Sequence, residues 1–137
     1  MSDALTPRDR EFLQTPRLGF LTVDPDGDWP VPVPVWFEWT GKGVQLFSSA
    51  TAPKTRRIEA TPRASLVAAN SVGEPEYWIA VVGSARVEPT GGYELVARLA
   101  ARYWDLGDPA RAATLESWRS IPSVRVIIDA DEIKRYG

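Results

Sequence analysis

The amino-acid sequence predicts a mainly β domain with helices (α+β), a small six-stranded barrel whose gaps and ends the helices fill. Six short apolar stretches recur along the chain, with glycine, proline, aspartate or asparagine in the links between them. Four further segments carry helix start signals or helical periodicity. The 137 residues, 44% of them hydrophobic, suffice for one domain with a sizeable core. No linker, repeat or low-complexity stretch divides residues 1–137.

Thr6-Pro7 reads as N-cap and first helical position of a helix to about Gln14. Residues 18–23 form the first strand. The turn Asp24-Pro25-Asp26-Gly27-Asp28 leads to a long second strand over residues 29–39. Gly41-Lys42-Gly43 is a tight turn, and residues 44–49 are the third strand. Thr51 is the expected cap of a short helix with Pro53 in its first turn, ending before Pro62. Residues 63–70 and 77–88 are two more strands. Over residues 90–105, Val96, Leu99, Ala100 and Tyr103 make one buried helical stripe, with Glu94, Arg98 and Arg102 pairing on the solvent face. Asp108-Pro109 opens a helix to about Trp118, and residues 123–129 are the last strand.

Composition excludes more than it assigns. The chain has no Cys and no His, so Ser-His-Asp and Cys-His nucleophile systems are ruled out, and zinc or haem sites held by those ligands are not expected. A net charge of −2 gives no footprint for nucleic acid. No apolar run approaches the roughly 18 residues of a membrane span, and Met1-Ser2-Asp3-Ala4 has no signal-like character, so a cytoplasmic location is expected. Redox or group-transfer chemistry in so small a domain would come from a cofactor acting on a small-molecule substrate.

Two segments point to such a cofactor. In residues 29–39, Val31, Val33, Val35, Phe37 and Trp39 share one apolar face, and Pro30, Pro32, Pro34 and Trp36 share the other. The three prolines all remove donors from the same lateral side, which marks a sheet edge. That edge is either protection against aggregation or a margin where a ligand and a partner subunit dock. Next, Ser48 and Ser49 end a strand, and Lys54, Thr55 and Arg57 occupy the start of the following helix. Free amides, helix dipole, hydroxyls and cations together suit a phosphate. Asp24, Asp26 and Asp28 lack calcium-loop spacing, because Gly27 and Val35 fall at the wrong positions. Trp36 and Trp78 stand out among the six tryptophans because both interrupt small-aliphatic strands.

Gly27…Pro30, Pro34-Val35-Trp36-Phe37, Phe47-Ser48-Ser49, Lys54-Thr55-Arg56, Pro62-Arg63-Ala64-Ser65-Leu66 and Val82-Gly83-Ser84-Ala85 resemble the pyridoxamine 5'-phosphate oxidase-like, FMN-binding split-barrel family, including its deazaflavin-dependent branch. The resemblance runs from residue 18 to about 88, with an echo over residues 123–136. It implies a six-stranded split β-barrel of the FMN-binding type, a homodimer with cofactor at the subunit interface. It also implies a flavin-dependent oxidoreductase using FMN or, alternatively, the deazaflavin coenzyme F420. By position, Val33, Pro34, Val35, Trp36 and Phe37 would line the ring, Ser48, Ser49, Lys54 and Thr55 would hold the phosphate end, and Trp78 would flank the ring. True pyridoxamine phosphate oxidation is not expected, since the oxidase's C-terminal basic and His residues have no counterpart. No catalytic side chain is expected. A non-catalytic flavin or deazaflavin carrier or sensor, and a cofactor-free interaction module, stand as alternatives.

Overall fold

The computed structural model describes residues 5–137; the first four residues, with their expected lack of a signal sequence, lie outside the described residues. Strands β1 (Gly19–Val23), β2 (Val33–Val35), β3 (Glu38–Trp39), β4 (Gly43–Ser49), β5 (Arg63–Ala69), β6 (Trp78–Glu88) and β7 (Ser123–Asp129) follow the order β2-β1-β5-β6-β7-β4-β3. An eighth, β8 (Glu132–Tyr136), lies along β6, and every pairing is antiparallel. The end strands of that order, β2 and β3, are neighbours in sequence, separated only by Trp36 and Phe37. The sheet therefore curls until its two edges meet at one crossing, which makes a barrel with a split. Fully buried Leu21, Phe37, Leu46, Leu66, Ile79 and Ile128 fill it, each contributing roughly 1.5–3 kcal/mol of transfer free energy.

Eight strands stand where six were expected. Residues 29–39 do not form one strand, because the chain leaves β1 after Val35 and joins β4 from Glu38 onward. Val31, expected on the apolar face, is 66% exposed and Trp29 before it 81%, and the alternation toward the core begins only at Val33. Residues 132–136 add the eighth strand, whose short polar sequence gives little strand signal.

Four helices, α1 (Pro7–Gln14), α2 (Pro53–Ala60), α3 (Gly92–Tyr103) and α4 (Pro109–Ser117), and a 3-10 turn (Trp118–Ser120) complete the fold. At α1 the Thr6 hydroxyl accepts from Asp9 N–H at 3.1 Å and the Asp9 carboxylate accepts from Thr6 N–H at 2.9 Å, a reciprocal cap. α2 starts from Ala52 with no side-chain cap, so the expected cap at Thr51 is corrected; its hydroxyl instead lies 3.4 Å from that of Ser49. Arg98 and Arg102 of α3 do not pair along their own helix as expected. Arg98 bonds Glu38 at 2.9 Å, and Arg102 donates to the carbonyls of Leu13 and Gln14, where the ends of α1 and α3 meet. β6 turns from β5 toward β7 at Gly83, where a Cβ would lie 1.8 Å from the Asp129 carbonyl oxygen.

Candidate functional site

A cavity of about 380 Å³ lies over the split, within the size range of small-molecule sites of about 300–1,000 Å³. Its walls come from the entry to β1 (Leu18), the end of β2 and the crossing (Pro34, Val35, Trp36), β4 (Phe47), α2 (Lys54) and the 3-10 turn (Trp118). A second cavity of about 290 Å³ shares Lys54 and reaches Val33, Arg57, Asp28 and Trp29. Lys54 stands between the two.

β2 pairs with β1 alone, so its other margin is a sheet edge. Pro34 sits opposite Phe20 and has no N–H. Ladder bonds to β1 therefore fall to Val33 and Val35, and the Pro34 carbonyl faces the open margin. The first turn of α2, uncapped by any side chain, adjoins that margin through Lys54. Burial alone pushes the Lys54 ammonium below the usual lysine range, and it has no carboxylate partner among the described residues. Arg57, one turn on, lies 4.0 Å from Asp28 across the second cavity.

Of the residues singled out from sequence, Pro34, Val35, Trp36 and Lys54 share the first cavity, and Val33, Lys54 and Arg57 share the second. The others are placed differently. Phe37 lines neither cavity; its side chain is fully buried in the barrel, as its place on the apolar face of residues 29–39 implies. Ser48 and Thr55 are buried as well. The Thr55 hydroxyl lies 2.9 Å from that of Ser48 and 2.8 Å from the Ser49 carbonyl, so the pair fastens α2 to β4. Ser49 is exposed beside Thr51. Trp78 lines neither cavity; it faces outward at the start of β6, opposite Ala69 and Tyr136.

Sequence reasoning missed Leu18, Phe47, Tyr103, Trp104 and Trp118. The alternation of β4 held a signal: Val44, Leu46 and Ser48 point inward, so Phe47 and Ser49 face out. Tyr103, expected in the helix stripe, is a clamp on the crossing. Its hydroxyl donates to the Arg17 carbonyl at 2.6 Å and accepts from Phe37 N–H at 3.2 Å, and its ring stacks on Trp36 at 5.3 Å and 9°. Trp104 meets Trp36 edge-on at 4.8 Å and lies 5.4 Å from Trp118. No local pattern brings these rings together; the fold does.

No curated protein matches the chain in sequence. Among solved structures it is similar to F420 Reductase, with 22% identity and a TM-score of 0.71 over 91% of this chain and 94% of that one. A conserved hypothetical protein from Mycobacterium tuberculosis matches at 17% identity and TM-score 0.72, over 97% and 85%. General Stress Protein 26 from Bacillus anthracis matches at 20% and 0.63, over 91% and 88%. At these identities the likeness establishes the fold. Residues 5–133 match the family described as Pyridoxamine 5'-phosphate oxidase, a span that takes in the whole strand path from β1 to β7, and the chain belongs to that family.

Proposed function

We propose that the protein binds a flavin-type cofactor, FMN, across the split and acts as an oxidoreductase on a small molecule. The observation that carries this reading is Lys54: a half-buried ammonium, without an acidic partner among the described residues, in an otherwise apolar wall. An uncompensated cation is unfavourable in such a place until an anion joins it. The open first turn of α2 adds backbone donors and the positive end of the helix dipole. A phosphate satisfies both. The donor-poor backbone margin at Pro34 suits the flat face of a ring, so the residues present fit such a group.

FMN would supply hydride transfer, which no side chain of this chain provides. The protein's residues bind and orient. Lys54 and the first amides of α2 hold the phosphate, the margin of β2 sets the plane of the ring, and the core behind Phe37 excludes water. Tyr103 keeps the crossing in register from behind.

Two copies pair through the outward face of β1, β5 and β6. Leu18, Phe20 and Trp78 there are 49%, 39% and 38% exposed, and Phe20 lies opposite Pro34 and Val67, with Val67 opposite Ala80. An apolar strip of this kind on a small domain supports an interaction face. Leu18 and Pro34 also border the cavity, so a second copy seated on the strip would close its open side.

A second reading, the deazaflavin F420, is favoured by the similarity to F420 Reductase over 91% of the chain. Arg56 and Arg57 border a further cavity of about 490 Å³ beyond Pro53, where a longer anionic tail could run, although Asp24 and Asp26 in the same wall oppose it. Absorption spectra and equilibrium dialysis with FMN and with F420 test both readings. Micromolar or tighter binding of FMN is expected; a protein that binds neither overturns the cofactor reading. Reoxidation of the reduced complex that ignores every added acceptor would favour the carrier role instead. Sedimentation of wild type against Phe20→Lys checks the dimer, and an unchanged monomer mass for both removes it.

A further inference from the structure

We propose that the aromatic wall of the cavity, formed by Trp36, Phe47 and Trp118, is a subsite for a second occupant, and that this occupant is a neutral, planar, aromatic small molecule. The cofactor reading above defines only what lies opposite it. Five rings from four different elements meet beside the cavity: Trp36 from the crossing, Phe47 from β4, Tyr103 and Trp104 from the end of α3, and Trp118 from the 3-10 turn. Trp36 has centroids of Phe47 and Trp118 each at 6.2 Å, and Phe47 lies 6.3 Å from Trp118. These are the offset and edge-on distances at which aromatic rings attract one another and a further ring.

None of the five belongs to the buried core, which is complete without them. Trp36, Phe47 and Trp118 are half-buried and present apolar area to the cavity. The indole N–H groups of Trp36, Trp104 and Trp118 have no acceptor among the described residues, and none is sealed from solvent. An indole N–H is a donor only, so an occupant with a hydroxyl or carbonyl oxygen at its rim gains a partner here.

Charge narrows the class. The cavity wall holds one charged group, Lys54, and no carboxylate. A cationic occupant would meet the like charge of Lys54, and Arg111, outside the wall, lies over Trp104 at 5.2 Å. An anionic one would compete with the cofactor phosphate for Lys54, which leaves a neutral ring as the molecule that can sit with the cofactor in place.

Calorimetric titration with 2-naphthol, its saturated analogue decahydro-2-naphthol, and 1-naphthoate, on FMN-loaded protein, tests the proposal. The planar alcohol is expected to bind roughly 3- to 10-fold tighter than its saturated analogue, the gain of aromatic contact over area alone, and tighter than 1-naphthoate, whose charge competes for Lys54. Trp118→Leu should erase that preference, read as the ratio of the two alcohols' dissociation constants at saturating FMN; Phe47→Leu, from a different element, serves if Trp118→Leu does not fold. A mere packing role predicts a lower melting temperature with the preference intact, and that result overturns the proposal, as does equal binding of the two alcohols by wild type. If FMN itself fails to bind, the cofactor reading falls separately. The same naphthol titrations on the free protein then decide the subsite, where loss of the Trp118-dependent preference rejects it.

Discussion

Lys54→Met separates a binding residue from a structural one, because it moves stability and affinity in opposite directions. Methionine keeps an unbranched, apolar stem and removes the charge. Burial holds the Lys54 ammonium below the usual lysine range, so the folded state disfavours the charged form. For a lysine the unfolded chain then binds the proton more tightly. The resulting penalty is present at neutral pH and is relieved only as pH rises through the lowered pKa. Removing the charge should therefore raise the melting temperature of the ligand-free protein above that of wild type. A charge-assisted bond to phosphate is worth about 1.5–3 kcal/mol, so FMN affinity should fall about 10- to 150-fold at about 1.4 kcal/mol per decade. Thermal melts without ligand and a fluorescence titration with FMN read the two effects independently. A lower melting temperature with unchanged affinity would refute the reasoning, since it would make Lys54 part of the packing and not of the site.

Three further substitutions probe the frame around the site. Tyr103→Phe removes the hydroxyl that joins Arg17 and Phe37 and should cost about 1–3 kcal/mol; urea unfolding with an unchanged midpoint would show that the clamp is idle. Gly83→Ala puts a methyl group 1.8 Å from the Asp129 carbonyl oxygen, so β6 and β7 must part, and a loss above about 3 kcal/mol is expected; a soluble variant melting with wild type contradicts the bend at this residue. Asp9 is fully buried and accepts from Thr6 N–H, the Tyr77 hydroxyl and, at 2.8 Å, Arg135. Burial opposes its ionisation, yet these donors outweigh it and hold the carboxyl below the usual aspartate range. Its stabilisation is then complete above the unfolded value near ~3.9 and lost as pH falls through the lower folded value. Asp9→Asn should be less stable at pH 7 and should depend less on pH below about 4; parallel curves for the two proteins would exclude Asp9 as a source of acid sensitivity.

Legibility followed the range of the interactions. Thr6-Pro7 announced α1 because its cap lies within four residues, and the apolar runs of β5, β6 and β7 announced strands because each strand's core face is written in its own period. Pro34 declared a sheet edge, since a missing N–H is a property of the residue itself. The division of residues 29–39 was not legible, because only the curling of the whole sheet makes one segment serve both β1 and β4. Ser48 and Thr55 look like phosphate ligands by type. Their burial against each other depends on how α2 sits over β4, which no local spacing fixes. The aromatic wall lay furthest from view, its rings spread over residues 36 to 118.

The edge and the cavity have a common cause. A curled sheet without closing hydrogen bonds must end somewhere, and an ordinary edge strand would offer donors and acceptors to any passing strand. Pro34 withholds the donor on the open side of β2, while the crossing at Trp36 and Phe37 carries the chain to the opposite edge before β2 can lengthen. At Pro34 the margin left behind accepts but does not donate, which disfavours pairing with another strand. Lys54 and Trp36 both line the cavity beside that margin, so a cation and an aromatic ring border a space that backbone pairing does not fill. The residue that withholds a donor from any neighbouring strand therefore also sets one wall of the cavity over the split.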